Sequence, residues 1–174
     1  CRKSFSPTRF QIQRRRRQMG GGGIMVWGMV MPNGLIAIKE IDGTLNSKKY
    51  VDLLETYAVW LMNLNLPKDF NFVQDNCSSH VSKNSMTFLE SQHFSTLKWP
   101  ALSPDLNIME NVWKMLSDII YEGEQPKNKD EMRLKLYEAV DTINAFKRPD
   151  IINLYQSFRP RLTKVLKSKG ELLN

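Results

Sequence analysis

Two acidic motifs, FNFVQDNCSSH (residues 70–80) and SPDLNIMENVW (residues 103–113), carry most of the information about the fold. Asp75 follows a short apolar run, which predicts the end of a strand. Glu110 falls one turn inside a segment that predicts a helix. A strand-end Asp and a helix-borne Glu can meet at one edge of a sheet. Paired carboxylates of this kind hold two hard cations about 3.5–4 Å apart for phosphoryl transfer.

On both sides of these two motifs, the chain alternates patterns typical of strands and of helices. Apolar runs bounded by turn signals predict strands at residues 24–31, 35–41, 70–75 and 94–99. Apolar residues at helical spacing predict helices at residues 46–64, from Ser82 onward, and at 107–121, 129–144 and 149–167. This order predicts a mixed α/β fold with one sheet.

Several short motifs and single residues accompany the two acids. They are the glycines at 20–23 followed by IMVWG at 24–28, Tyr50, Gln74-Asp75-Asn76 with His80, Trp99-Pro100, Ser103-Pro104-Asp105-Leu106-Asn107, and Glu110-Asn111 with Trp113. Together they resemble the catalytic domain of mariner/Tc-type transposases, within the DDE superfamily of transposases and integrases. The resemblance covers nearly the whole chain from about residue 20 onward. One mild departure is Ile108, where the family usually has Pro.

For the fold, the resemblance implies a ribonuclease-H-like mixed sheet flanked by helices, with extra C-terminal helices and with its first, central strand missing. That strand carries the family's first catalytic Asp, whereas no Asp or Glu precedes Glu40 here. Asp42 is a poor replacement, because Asp beside Gly is typical of a turn. We therefore expect residues 24–174 to be an N-terminally truncated catalytic domain, preceded by a basic, glycine-rich arm at residues 1–23.

For the chemistry, the resemblance implies that Asp75 and Glu110 are catalytic and bind Mg²⁺ or Mn²⁺, in a two-metal site when the domain is intact. The reaction would be DNA transposition, in which activated water cuts at the transposon ends and the freed 3′-hydroxyl attacks target DNA. Asn76 and Asn111 are expected to orient the carboxylates. His80 is expected to position a neighbour or the DNA, with general acid–base work as the alternative. With the first Asp absent, we predict weak or no activity.

The net charge of +7 lies entirely in the arm. Residues 1–23 hold seven Lys and Arg and no acid, so the remainder has equal numbers of basic and acidic side chains. The run Arg14, Arg15, Arg16 and Arg17 is predicted to bind DNA, because each neutralised phosphate releases counterions. A solvated tail and a nuclear-import signal are the alternatives. The expected partner is double-stranded DNA, at transposon ends and at the target, in the nucleus, with a homodimer as one assembly of the transposition complex.

Composition excludes several other classes of protein. The two cysteines, Cys1 and Cys77, make neither a disulfide framework nor a zinc motif, so we predict reduced thiols. The sequence has no apolar run long enough to cross a membrane and no signal-peptide pattern. It does not begin with Met, which predicts a fragment, a processed product or an incomplete gene product. Two other functions stay open: a non-catalytic nucleic-acid-binding remnant of a transposase, and an unrelated domain with incidental acids.

Overall fold

The structure is a computed structural model, and it describes residues 23–62, 71–100, 103 and 106–167, without the side chains of 59–62 and 164–167. The described strands are β1 (Met25–Val30), β2 (Ile36–Ile41), β3 (Asn71–Phe72) and β4 (Ser95–Thr96). The described helices are α1 (Ser47–Met62), α2 (Lys83–Ser91), α3 (Ile108–Ile120), α4 (Lys129–Phe146), α5 (Arg148–Gln156) and α6 (Phe158–Lys167). They divide into two compact units, one with α1, β3, α2 and β4, the other with the remaining elements. None of the described helices is long and apolar enough to cross a bilayer.

The hairpin of β1 and β2 forms as the sequence predicts. The strands pair antiparallel, from Met25 opposite Ile41 to Val30 opposite Ile36. Between them, Gly34 has a φ of +83°. Its amide donates to the Met31 carbonyl oxygen at 2.9 Å. A positive φ of this size is cheap only for glycine, so the turn depends on this residue type.

Helices α3, α4 and α5 pack with this hairpin around one core. The face of α3 that packs into this core carries apolar residues at helical spacing, and its opposite face is polar. The core consists of fully or nearly fully buried residues: Val26, Ile36, Ile38, Val112, Trp113, Leu116, Ile120, Leu136, Ala139, Val140, Ile143 and Ile151. Burial of this apolar surface is what holds the helices on the hairpin.

A polar clamp joins α4 to the start of β2. The Asn144 side-chain Oδ1 accepts a hydrogen bond from the Ile36 amide at 2.8 Å. Its Nδ2 donates to the Ile36 carbonyl oxygen at 3.0 Å. Ile36 is only 2% exposed, so solvent cannot readily replace either bond. One amide side chain thus satisfies both backbone groups of a buried strand residue.

We predict that Asn144→Ala lowers the free energy of unfolding by about 2–4 kcal/mol, because two backbone groups lose their partners. Urea denaturation of the purified chain measures this loss. The matched control is Asn153→Ala, on the exposed side of α5, which should change stability by less than about 0.5 kcal/mol. Equal stability of the two variants would contradict a structural role for the clamp.

The other unit is a β–α–β arrangement with α1 beside it. β3 and β4 pair in parallel, with Asn71 opposite Ser95 and Phe72 opposite Thr96. α2 connects them and begins at Ser82, whose hydroxyl oxygen accepts a hydrogen bond from the Ser85 amide at 3.2 Å. This is the predicted N-cap. The unit therefore brings the residues that follow β3 and β4 to the same edge.

Among the described strands, β1 pairs with β2 antiparallel and β3 pairs with β4 parallel, which are the two strand directions that a mixed sheet combines. Two predictions about the elements need correction. The strands predicted at 70–75 and 94–99 pair over only two residues each among the described residues, and the Leu97 amide adds one hydrogen bond to the Phe72 carbonyl oxygen at 3.3 Å. The helix predicted at 149–167 is interrupted at Ser157. Pro160 explains the interruption, since it has no amide hydrogen for the Gln156 carbonyl and is tolerated only in a first helical turn.

Some predictions concern residues outside the described part of the chain. These are the missing first strand, the arm with Arg14, Arg15, Arg16 and Arg17, and Asp105, for which the sequence predicts an N-terminal cap or first-turn position in the helix that carries Glu110. The described N-cap of that helix is Asn107, whose Oδ1 accepts a hydrogen bond from the Met109 amide at 3.0 Å.

Candidate active site

Asp75 lies three residues beyond β3, in a loop that its own carboxylate organises. Its Oδ1 accepts one hydrogen bond from the Cys77 amide at 2.9 Å. The same Oδ1 lies 2.6 Å from Nδ1 of His80. The two side chains are only 10% and 6% exposed. Both of these contacts use Oδ1, and no contact among the described residues uses the other carboxylate oxygen, Oδ2.

A second set of contacts holds His80 in place from the side of α1. The Tyr50 hydroxyl donates to Gln74 Oε1 at 2.7 Å. Gln74 Nε2 in turn donates to the His80 carbonyl oxygen at 3.1 Å. The rings of Tyr50 and His80 have their centroids 4.2 Å apart. We call this chain of contacts, Tyr50 to Gln74 to His80 to Asp75, the Tyr50 relay.

Tyr50 is suited to be the donor at the start of the relay. It is 1% exposed. Burial and then the negative charge of Asp75 raise the pKa of the Tyr50 hydroxyl well above its ordinary range. The hydroxyl therefore stays protonated and donates to Gln74 Oε1, which orients the Gln74 amide so that Nε2 points to His80.

Asn76 has a different contact from the one predicted. Its Nδ2 donates to the Trp99 carbonyl oxygen at 2.9 Å. The bond joins the loop after β3 to the segment after β4. That Asn76 also orients a carboxylate stays a prediction. Its described bond fixes the position of the loop after β3.

Glu110 lies in the first turn of α3, where a negative side chain is favoured by the helix dipole. It is half-buried. The next residue, Asn111, accepts at its Oδ1 a hydrogen bond from Arg161 Nη1 at 3.2 Å. Arg161 also donates through Nη2 to the Leu154 carbonyl oxygen at 3.3 Å. Burial lowers the pKa of the Arg161 guanidinium. α6 is thus anchored next to the candidate catalytic Glu.

The structure brings the predicted site residues together in two groups. Asp75, Asn76 and His80 share one loop in one unit. Glu110 and Asn111 are consecutive on α3, in the other unit. That the two carboxylates bind one metal pair stays a prediction. Sequence reasoning missed the contact of Gln74 with Tyr50, 24 residues earlier, and that of Arg161 with Asn111, 50 residues earlier, because local patterns do not report such distant partners.

The donor atoms of the candidate residues belong to two chemical classes. The carboxylates of Asp75 and Glu110 are the hard oxygen ligands that Mg²⁺ and Mn²⁺ prefer. In addition, Asp75, Cys77 and His80 offer one oxygen, one sulfur and one nitrogen within 4.8 Å of one another. The sequence analysis did not predict this second set, because the spacing is not that of a common metal motif.

A sequence model of the DDE superfamily endonucleases matches residues 7–133, which include both acids. The chain belongs to the DDE superfamily. Among relatives of this DDE chain, the Tc3 transposase of Caenorhabditis elegans is 31% identical over 159 residues, 91% of this chain and 48% of the relative. The Tcb2 transposase of Caenorhabditis briggsae is 30% identical over 171 residues, 98% of this chain and 59% of the relative. The chain spans about half the length of these curated relatives.

Solved structures confirm the fold class of this DDE chain. The Mos1 mariner transposase catalytic domain superposes with a TM-score of 0.74 at 19% identity, over 87% of this chain and 76% of that one. A complex of the Mos1 catalytic domain with raltegravir and Mg gives the same TM-score over 77% of that chain. The ribonuclease-H-like fold and the resemblance to Tc/mariner transposases are therefore both confirmed.

Proposed function

We propose that this chain is the catalytic domain of a Tc/mariner-type transposase, which cleaves DNA strands and transfers them during transposition. The family match over residues 7–133 supports the reaction class. The observation that carries the proposal is the Asp75 loop. Two contacts fix Oδ1 of this acid within the matched region, and no contact among the described residues uses Oδ2, the oxygen that we propose binds a cation.

We propose that Asp75 and Glu110 hold Mg²⁺ or Mn²⁺. When bound, the ions would activate the attacking water and stabilise the charge on the transferred phosphate. The chain's own contribution is orientation. The Tyr50 relay fixes one carboxylate, and the Arg161 bond to Asn111 fixes the turn of α3 that carries the other. Such support matters, because a ligand displaced by about 1 Å can cost about 10²-fold in rate.

The proposed partner is double-stranded DNA, at the transposon ends and at the target. We propose that the protein acts in the nucleus and that its active assembly is a homodimer. The excess of positive charge in residues 1–23 supports DNA as the partner. In this proposal Arg14, Arg15, Arg16 and Arg17 contact the phosphate backbone. Binding through them weakens steeply as salt is raised.

A non-catalytic nucleic-acid-binding remnant is the second candidate function. It is favoured by the seven Lys and Arg side chains and no acid in residues 1–23, since this excess of positive charge suits nucleic-acid binding whether or not the chain cleaves DNA. In both cases we expect the polypeptide itself to cleave DNA weakly or not at all. The two candidates differ in what happens when a third carboxylate is supplied.

The deciding experiment compares this polypeptide with the same polypeptide preceded by the family's first strand and its Asp. Nicking of supercoiled DNA is measured with Mg²⁺, with Mn²⁺ and with a chelator. Metal-dependent nicking that appears on extension supports the transposase. DNA binding without nicking in the extended chain supports the remnant. Full activity of the unextended polypeptide would show that the first Asp is not needed.

The Tyr50 relay gives a prediction about metal affinity. Tyr50→Phe keeps the buried ring beside His80 and removes only the hydroxyl, so Gln74 loses the bond that orients it. We expect a loss of about 1–2 kcal/mol in stability, together with Mn²⁺ binding weakened about tenfold or more. Calorimetric titration with Mn²⁺ measures the affinity, and thermal unfolding measures the stability.

Tyr155→Phe is the matched control. Tyr155 donates its own hydroxyl to the Val30 carbonyl oxygen at 2.7 Å, in the unit that lacks Asp75. Its loss should lower stability by a similar amount and leave Mn²⁺ affinity within about twofold, because no relay residue is disturbed. If both variants bind Mn²⁺ equally, the relay does not position Asp75.

A further inference from the structure

The Asp75 loop holds a cysteine that the proposed magnesium chemistry does not use. Cys77 is half-buried and is not in a disulfide. Its sulfur lies 3.3 Å from Ser79 Oγ. Donor atoms of Asp75, Cys77 and His80 all lie within 4.8 Å of one another. Carboxylate, thiol and imidazole are thus collected within six residues.

This donor set selects a different cation from the one that carboxylates alone select. Mg²⁺ takes oxygen ligands, whereas thiolate and imidazole favour Zn²⁺ and related thiophilic ions. Tetrahedral Zn²⁺ binds N and O at about 2.0–2.1 Å and S at about 2.3 Å, which places its ligand atoms roughly 3.3–3.7 Å apart. The three donor atoms lie within 4.8 Å of one another, so binding needs side-chain shifts of about 1 Å. If Asp75 Oδ1 and His80 Nδ1 are the ligand atoms, they also have to separate from their present distance of 2.6 Å.

The loop is built firmly enough to hold such a site. The Cys77 carbonyl oxygen accepts the amides of His80 at 2.8 Å and Val81 at 3.1 Å. The fully buried Ser85 donates its hydroxyl to the Ser79 carbonyl oxygen at 2.6 Å. The backbone that carries all three donors is therefore fixed before any ion arrives, which reduces the ordering cost of binding.

His80 supplies an independent indication of a ligand. It is 5% exposed, and its Nε2 is buried without a hydrogen-bond partner among the described residues. Buried polar nitrogens are rarely left in this state in folded proteins, and coordination of a metal ion is one way in which such a nitrogen is satisfied. Among the described contacts, Nε2 is therefore the ring nitrogen left for coordination, while Nδ1 has its 2.6 Å contact with Asp75 Oδ1.

We propose that Asp75, Cys77 and His80 form a binding site for a thiophilic divalent cation such as Zn²⁺. Cys77 binds as the thiolate, and its proton passes to solvent. A water molecule completes the tetrahedron. Because Asp75 is also the proposed magnesium ligand, the two cations compete. The consequence is that Zn²⁺ inhibits Mg²⁺-dependent DNA cleavage, and this consequence rests on the proposed function.

The site is tested without any activity measurement by titrating the full chain with Co²⁺, a spectroscopic substitute for Zn²⁺. We expect tetrahedral ligand-field bands and a thiolate-to-cobalt charge-transfer band, both removed by stoichiometric Zn²⁺. Cys77→Ser should abolish the charge-transfer band and weaken binding at least about tenfold. The matched control is Cys1→Ser, which removes the other cysteine and should keep the band. Circular dichroism verifies that both variants fold.

Loss of the band in Cys1→Ser with retention in Cys77→Ser would overturn the proposal, as would the lack of any thiolate band in the parent chain. The inhibitory consequence is tested separately in the extended, cleaving chain. There Zn²⁺ should inhibit the parent at concentrations at least about tenfold lower than it inhibits Cys77→Ser, each compared with its own zinc-free rate. A cobalt band without DNA cleavage would support the site and count against the transposase function.

Discussion

We expect Asp75→Asn to lower the metal-dependent cleavage rate of the extended chain by at least about 10³-fold, which corresponds to about 4 kcal/mol of transition-state stabilisation. The amide keeps the size of the side chain and can still contact Cys77 and His80, so the change removes mainly the charge that binds the cation. Single-turnover nicking with saturating Mn²⁺ measures the rate. Calorimetry measures the accompanying loss of Mn²⁺ affinity.

Asp42→Asn is the control for this prediction. Asp42 is exposed, lies at the turn after β2, and is the other early acid that the sequence analysis considered as a ligand. We expect its rate to stay within about twofold of the parent, as for a surface substitution. A large loss in Asp42→Asn, or a normal rate in Asp75→Asn, would refute the assignment of the acids.

Glu110→Gln, combined with Asp75→Asn, tests the prediction that the two carboxylates act at one metal site. If both acids hold the same metal pair, each single substitution removes the same function, and the double variant is little slower than either one. If the acids act independently, the losses in free energy add. The double-mutant cycle therefore tests a shared site without reference to distances.

Gly28→Val lowers the free energy of unfolding by more than about 3 kcal/mol, and Gly28→Ala by about 1–3 kcal/mol. Gly28 lies in β1, where α3 approaches the strand closely. A Cβ added there would lie 2.6 Å from Cη2 of Trp113 and 2.8 Å from Cδ1 of Ile38, and would also overlap the end of Met109. Trp113 is 3% exposed, so its ring has little room to move.

Gly23→Ala is the matched control for Gly28. A Cβ at Gly23 meets no atom within 4 Å, so we expect a change below about 0.5 kcal/mol. Urea unfolding of the three variants measures the difference. The expected order is Gly23→Ala, then Gly28→Ala, then Gly28→Val, with increasing loss. If Gly28→Val is as stable as the parent, the close approach of α3 to β1 is wrong.

The elements that the sequence predicted well are those with local signals. α3 was predicted at 107–121 and is found at Ile108–Ile120, because its apolar stripe defines the helix without help from the rest of the chain, although its N-cap is Asn107. The strand at 70–75 was predicted too long, because an apolar run does not reveal where hydrogen bonding ends. The interruption at Ser157 had a sequence signal in Pro160, which the helix prediction passed over.

The candidate site was predictable to a smaller extent. The two acids, His80 and the class of metal ion were predicted from sequence motifs. A bond between His80 and Asp75 requires only a short loop, because the two residues are five positions apart. The roles of Tyr50 toward Gln74 and of Arg161 toward Asn111 depend on how distant segments pack, which local patterns do not encode. Asn76 shows the same limit, since its partner is the carbonyl of Trp99.

The Arg161 bond has a consequence for how copies of this gene lose their function. A premature stop or frameshift just before Phe158 leaves both acidic motifs readable in the DNA. The encoded protein nevertheless lacks the guanidinium that fastens the residue next to Glu110. Judging a decayed copy by its acids alone would therefore overlook damage at the far end of the reading frame.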